Sequence, residues 1–413
     1  HVLHDSLKYL AAEGDGHSND ALKSIMMMYY DHKTKKREIL APKSKGAFVI
    51  KQTNVDQISK KKNLSGKTYK GSISGMPGNM TGSELVEFWI DKAAVANKGV
   101  DIIYGYNYPQ LISKFIMGAV SYNQAVDNYL DEKLAAGNKP NDKPYKKGAH
   151  YTGKEHVWDE AFGYWGSAAH AQTLTAEQNY NVAKKKDLVS ADYNGDGVVD
   201  LYSEYTFAHA YYASAYDKGG KTNYLHEVND AFINGRMVIA SANGEKLSGT
   251  EMASLNSYIN IIATNWQKVI AESIFKYAGS TYKDIVALET ILGANGDTAD
   301  AFRKYAKHWG ELKGFTLALQ CGPKDLGQTA EKLNRMMGFG PVLLNASQVV
   351  GVDSSGNFIK DQAQEWGEFK LHMLKIQKLM VDKFGVEAKS NDQLAEMAAL
   401  ASSLGTSDSA END

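Results

Sequence analysis

The stretch ADYNGDGVVDLYSE, residues 191–204, offers oxygen-bearing side chains at alternate positions, a pattern that suits calcium. Calcium takes several oxygen ligands, which a tightly turned loop supplies from its odd-numbered positions and from a bidentate acid at its end. Asp192, Asn194 and Asp196 fall at positions 1, 3 and 5, the carbonyl of Val198 at 7 and Asp200 at 9. Gly197 stands at position 6, where the turn requires a positive φ, and Val199 at position 8 is the apolar anchor. The end departs from the pattern: position 12 is Ser203, and the acid, Glu204, follows one place late. Asp192, Asn194, Asp196, Val198, Asp200 and Glu204 are the expected ligands of a bound Ca2+. No convincing helix precedes the loop, so the expectation is a structural, EF-hand-like site and not a paired sensor. GANGDTAD at 293–300 is similar in composition and reads as a turn only.

Histidine and carboxylate also recur at helical spacing. In KEHVWDEAFGYWG, His156 shares a helical face with Asp159 and Glu160, three and four residues on. In YAKHWGELKGF, His308 precedes Glu311 by three. Helical bundles build metal sites from inward-facing pairs of this kind, and imidazole with carboxylate suits iron, zinc or manganese. His156, Asp159, Glu160, His308 and Glu311 are thus candidates for a second metal site. The plainer alternative is that both histidines hydrogen-bond inside an aromatic-rich core. His209, in FAHAYYA, reads as core. So do Phe162, Tyr164 and Trp165, and Tyr205, Phe207, Tyr211 and Tyr212, although some of these could line a cleft beside the pairs. His1, His4, His17 and His32 fall in a polar stretch and are expected to be solvated. The common catalytic signatures HExxH, GxxxxGKS/T, GxSxG and GxGxxG are all absent.

The elements that must position these residues read as helices. TGSELVEFWIDKAAVANKG brings Leu85, Phe88, Trp89 and Ala93 round at helical spacing, with Ser83 as the expected cap and Gly99 as the stop. LNSYINIIATNWQKVIAESIFKYA sets Tyr258, Ile262, Trp266, Val269 and Ile270 on one face. KEHVWDEAFGYWG, SEYTFAHAYYASAYD, LHEVNDAFINGRMVIA, DAFRKYAKHWGELKGFTLALQ and GEFKLHMLKIQKLMVDKF behave alike, and GAFVIKQ is the best candidate strand. The fold class expected is mainly α, packed as helical bundles around an inserted calcium loop. An irregular N-terminal region of loops and short helices, 1–80, would pack on a bundle domain, 81–350. A C-terminal helix, 351–390, and a flexible tail, 391–413, would follow.

Lys and Arg number 46 against 48 Asp and Glu, so charge gives no reason to expect a nucleic-acid partner. The basic clusters Lys33–Arg37 and Lys60–Lys62 read as solvated charge. Cys321 is the single cysteine, which excludes an internal disulfide and a thiolate cluster, and it reads as a buried thiol. No run of apolar residues is long enough for a transmembrane helix. The chain opens HVLHDSLKYL, without Met or an apolar leader, as a processed or trimmed chain would.

In this order, KEHVWDEAFGYWG, DYNGDGVVDLYSEYTFAHA, DAFINGRMVIA and KHWGELKGFTLALQ resemble an uncharacterised family of bacterial surface proteins and lipoproteins. That family is a domain of unknown function with an EHxWDEAFGYFG motif. KKNLSGKTYKGS and YPQLISKFIMGAVSYNQ look like it too, but the C-terminal part of the chain does not. The resemblance implies an extracytoplasmic location, a calcium loop built into the fold, and a site formed by Glu155, His156, Asp159 and Glu160. More distantly the chain looks like the imelysins, helical-bundle proteins of the bacterial envelope linked with iron acquisition through a GxHxxE motif. His308 and Glu311 match the HxxE part of that motif, and Ala306 and Lys307 depart from what precedes it. The expected function is therefore that of an exported, calcium-containing metal-binding protein of the cell envelope, serving iron or another transition metal. Its partners would be metal ions and an outer-membrane or surface protein. A calcium-stabilised extracellular scaffold is one alternative, and a metal-dependent hydrolase with Glu160 as general base is another.

Overall fold

The computed structural model describes residues 1–14, 16–32, 37–362 and 365–406. Residues 33–36 of the first basic cluster and 407–413 of the expected tail lie outside them. The first half of the chain forms α1 (Val2–Glu13), α2 (Asn19–Tyr30), α3 (Gly82–Val95), the pair β1 (Val100–Asp101) and β2 (Tyr106–Asn107), and α4 (Tyr108–Ile116). A π-helical segment, Met117–Lys133, continues α4. Then come α5 (Gly153–Trp165), α6 (Ala176–Ala183), α7 (Leu188–Ala191), α8 (Ala208–Asp217) and α9 (Tyr224–Ser241). The second half holds α10 (Gly249–Gly293), α11 (Ala299–Leu319), α12 (Gln328–Met337), the antiparallel hairpin β3 (Ser347–Val352) and β4 (Phe358–Gln362), α13 (Trp366–Phe384) and α14 (Met397–Leu404). The protein is mainly α-helical, as expected, and no helix among the described residues is long and apolar enough to cross a membrane.

The chain forms two compact units. The first gathers His1–Val2, Thr34–Lys62 and Ala119–Val269; the second gathers Leu3–Lys33, Asn63–Gly118 and Ile270–Asp413. The units interleave along the chain instead of following the consecutive segments expected from the sequence. Two of the crossings fall inside continuous helical stretches, at 118/119 and within α10 at 269/270.

In the first unit, α5 begins at a capping box in which Thr152 accepts from the Glu155 N–H and Glu155 accepts from the Thr152 N–H. Its apolar stripe packs on α9: the Trp158 indole donates to the Phe232 carbonyl at 2.8 Å, and that of Trp165 to Asn229 at 3.0 Å. Gly235 makes this approach possible, since a Cβ there would lie 2.0 Å from the Trp158 ring. Trp165 meets Trp266 edge-on at 4.7 Å between centroids.

In the second unit, α11 carries glycines one turn apart so that α4 can come close. A Cβ at Gly314 would stand 2.6 Å from the Cβ of Lys114, and one at Gly118 would stand 2.4 Å from that of Ala318. The buried carboxylate of Glu272 holds the C-terminal segment by accepting from the N–H groups of Glu387, Ala388 and Lys389.

Several local expectations differ from what forms. The cap of α3 is Thr81, paired with Glu84, and not Ser83. GAFVIKQ makes isolated bridges, Lys45 to Phe48 and Ile50 to Val199, in place of a strand. The N-terminal region holds two twelve-residue helices. His4, expected in solvent, is buried with its imidazole 3.3 Å from the Ser113 hydroxyl. Part of the expected tail is α14, whose Met397 and Ala401 pack on Leu371 and Leu374. Cys321 is buried, and burial pushes its thiol pKa up.

Candidate metal centre

The loop after α7 is a run of tight turns closed by its own side chains. Asp192 accepts from the N–H groups of Asp196 and Gly197, Asn194 from that of Asp196, and Asp196 from that of Val198. These turns point the three side chains inward, and Gly195 and Gly197 take the left-handed φ values, 73° and 83°, that the curvature needs. Val199 is fully buried; its N–H donates to Val49 and its carbonyl accepts from Lys51. The closing acid behaves differently from the expectation. One oxygen of Glu204 accepts from the N–H groups of Tyr193 and Asn194, and the other accepts from that of Asp200. Glu204 is thus a clamp that closes the loop on itself. Asp200 accepts from Gln52 and from the Tyr202 N–H, and the Lys51 ammonium stands 3.7 Å from Asp196 and 3.5 Å from Asp200. Of the expected calcium ligands, Asp192, Asn194 and Asp196 accept from N–H groups within the loop, while Asp200 is shared with Gln52 and Lys51.

His156 lies one turn into α5 and faces Glu160 one turn further on, with 3.7 Å between Nε2 and Oε1. That is too long for a hydrogen bond. Tyr145 stacks on the imidazole at 3.7 Å between centroids and fixes its plane, and Tyr151 lies alongside at 5.7 Å. Burial holds the His156 pKa below the usual histidine value, with Glu160 opposing the shift. The ring is therefore neutral at pH 7, the form that binds metals. The neighbouring acids are engaged elsewhere: Arg236 donates to Glu155 at 2.7 Å and to Asp159 at 2.9 Å. Burial raises the Asp159 pKa, and Arg236 opposes that shift. Near Glu160, Tyr129 and Tyr164 lie 5.7 Å apart between ring centroids, and the Glu160 charge adds to burial in raising the pKa of both phenols. Tyr129 and Tyr164 are both held protonated by burial. Sequence reasoning assigned Tyr164 to the core and did not single out Tyr129, yet 156, 160 and 164 form an i, i+4, i+8 stripe on α5.

Histidine, cysteine and acidic side chains alone nowhere form a group of three able to hold an ion, among the described residues.

The chain belongs to the DUF4856 family. The match to this domain of unknown function covers residues 49–336, more than half of the chain, and takes in every candidate ligand named above. No curated protein and no solved structure matches the chain.

In this DUF4856 domain His308 and Glu311 belong to the second unit and His156 to the first. Although both sit on α11, His308 and Glu311 have different partners. His308 Nδ1 is 2.5 Å from Asp284, whose other oxygen is 3.1 Å from Lys304. Glu311 faces Lys114 at 3.6 Å, and both are buried. Burial lowers the Lys114 pKa to about 7. Elsewhere in the first unit a groove of about 400 Å³ between α9 and α10 is lined by Glu227, Asp230, Asn234, Tyr258 and Asn265. Glu227 there accepts from Asn265 and Asp230 from Gln172, and the lining contains no histidine, so the α5 face remains the better candidate.

Proposed function

We propose that this DUF4856 domain is a calcium-stabilised metal-binding protein whose transition-metal site is built on His156 and Glu160. One observation carries the reading. With metal–ligand bonds of about 2.1 Å, the 3.7 Å between His156 Nε2 and Glu160 Oε1 corresponds to an angle of ~120° at a shared ion. The pair is set apart for ligation, while Asp159, His308 and Glu311 are matched to Arg236, Asp284 and Lys114.

The loop 192–204 serves as a staple in this reading. With Glu204 acting as a clamp, it offers fewer charged ligands than a sensor loop and binds calcium weakly. Weak calcium sites, with dissociation constants of about 10⁻⁴–10⁻³ M, are those of extracellular modules, which supports an exported protein of the cell envelope. The distant likeness to the imelysins agrees with a helical protein that handles metal there.

Elemental analysis of protein purified without added metal or chelator tests this reading. The expected result is calcium together with one transition metal, the second lost and the first retained in a His156→Ala variant. Calcium alone would make the protein a calcium-stabilised scaffold.

A further inference from the structure

We propose that the groove between α9 and α10 binds a short aliphatic polyamine, whose ammonium groups are received by Glu227 and Asp230. The groove shares no residue with the His156 site, so the proposal stands apart from the metal reading.

The groove measures about 400 Å³, the size of a small-molecule site. Glu227 and Asp230 line it from α9, and Tyr258, Ile261 and Asn265 line it from α10. Side chains three positions apart on a helix are neighbours, so the two carboxylates lie on one wall. No lysine, arginine or histidine lines the groove, and neither carboxylate has an ion-pair partner among the described residues.

Hydrogen bonding sets what is left for a ligand. Asn265 donates from its amide nitrogen to Glu227 Oε2 at 2.8 Å, and Gln172 donates to Asp230 Oδ1. Each carboxylate is held by one oxygen and keeps the other, Oε1 of Glu227 and Oδ2 of Asp230, without a hydrogen-bond partner among the described residues. Asn265 is only 9% exposed, and its carbonyl oxygen has no such partner either. That oxygen belongs to the amide that touches Glu227, so two unpartnered acceptors sit side by side, one of them on a buried side chain. Buried acceptors without donors are rare and costly. The groove therefore lacks N–H donors and positive charge, and a ligand that brings both completes it.

The rest of the lining decides between cations. Calcium takes about six to eight oxygens, more than two held carboxylates and one amide leave free. An ammonium group needs far fewer acceptors. Tyr258 contributes an aromatic ring, whose face attracts ammonium groups. Ile261, 40% exposed, offers apolar surface to methylenes that join such groups. Cationic N–H donors on an apolar chain are the chemistry of a polyamine.

The test is calorimetric titration of the full chain with spermidine. One equivalent is expected to bind, and more weakly as salt is raised. Glu227→Gln and Asp230→Asn, both at exposed positions, should each weaken binding by about tenfold or more, the loss of a hydrogen bond to a charged group. Ile261→Lys puts an ammonium into the groove from an exposed side chain and should abolish binding. Circular dichroism checks that each variant is folded. The proposal is overturned if spermidine fails to bind the parent, or binds Ile261→Lys and the acid variants as tightly as the parent. Calcium binding as tightly as spermidine to the same two acids would also overturn it, since the groove would then have no preference for amines. Binding of an oligolysine peptide but not of spermidine would overturn it in favour of a protein partner. None of these outcomes moves the transition-metal content of the chain, so the metal reading stands or falls separately.

Discussion

Helix α5 in the first unit and α11 in the second each pair a histidine with carboxylates at helical spacing, in different electrostatic settings. On α11 the histidine and the carboxylate are both matched: His308 to Asp284, which also meets Lys304, and buried Glu311 to buried Lys114. On α5, Arg236 neutralises Glu155 and Asp159, while Glu160 faces the His156 imidazole across 3.7 Å, a gap too wide for a hydrogen bond. The α11 arrangement is neutralised from within its own unit, and on α5 the counter-charge reaches Glu155 and Asp159. A His–carboxylate spacing on a helix therefore marks a candidate site, and the counter-charges brought in from other elements decide whether it is one.

The largest expected effect separates the two helices by stability. Glu311→Ala leaves the Lys114 ammonium buried without its carboxylate, and breaking a buried pair from one side costs about 3–5 kcal/mol. Replacing both, as Lys114→Met with Glu311→Leu, should recover most of that loss. Glu160→Gln, which lies at the surface, should change stability by about 0.5 kcal/mol or less. Urea unfolding of the three variants measures all of this. A Glu160→Gln loss as large as that of Glu311→Ala would erase the distinction drawn between the helices.

The helices themselves were legible in the sequence because apolar residues recur with a period of 3.6 in segments such as Ile262, Trp266, Val269 and Ile270, all of which are buried. The turn chemistry of 192–198 was legible for the same local reason: each acceptor bonds an N–H only two to five residues away. What depends on distant partners was not. Arg236 reaches Asp159 across 77 positions, and His4 meets Ser113 across 109. Nothing in the spacing of MGAVSYNQAVDNYLDEK distinguishes π-helical winding from α-helical, so Tyr129 gave no sign that it would meet α5. Tyr164 was visible on the His156–Glu160 stripe, but an aromatic residue at helical spacing is ordinarily core. The interleaving of the units was hidden because two of the crossings fall inside helical stretches that read as continuous.

A smaller effect tests whether the second unit tolerates charge only at a penalty. Lys313 is fully buried and donates to the Gly338 carbonyl at 2.7 Å, and burial lowers its pKa to about 7, as it does for Lys114. An unfolded lysine keeps its ordinary pKa near 10.4. Between pH 7 and 9 the unfolded chain therefore binds more protons than the native one, and stability rises with pH, by on the order of 1 kcal/mol per pH unit for each such lysine. The gain is lost as pH falls to 7. Above pH 9 the buried Cys321 thiol, whose pKa is raised, works in the opposite direction. Urea midpoints measured across this window should rise for the parent chain and rise less for Lys313→Met. Equal slopes would mean that Lys313 keeps its proton in the fold, and that the second unit carries more buried charge than this comparison allows.

The smallest effect sharpens the α5 side of the comparison. Arg236 is 31% exposed and Asp159 is 55% exposed, so removing the guanidinium should cost about 1 kcal/mol or less. Its consequence for the site runs the other way. Arg236→Ala releases Asp159 beside His156 and makes the face more negative by one charge, so the His156 pKa should rise and any cation bound there should be held more tightly. An affinity gain within about tenfold, corresponding to ~1.4 kcal/mol, is expected when zinc is titrated against parent and variant. If zinc affinity falls instead, Arg236 holds the α5 face in place through Glu155 and Asp159.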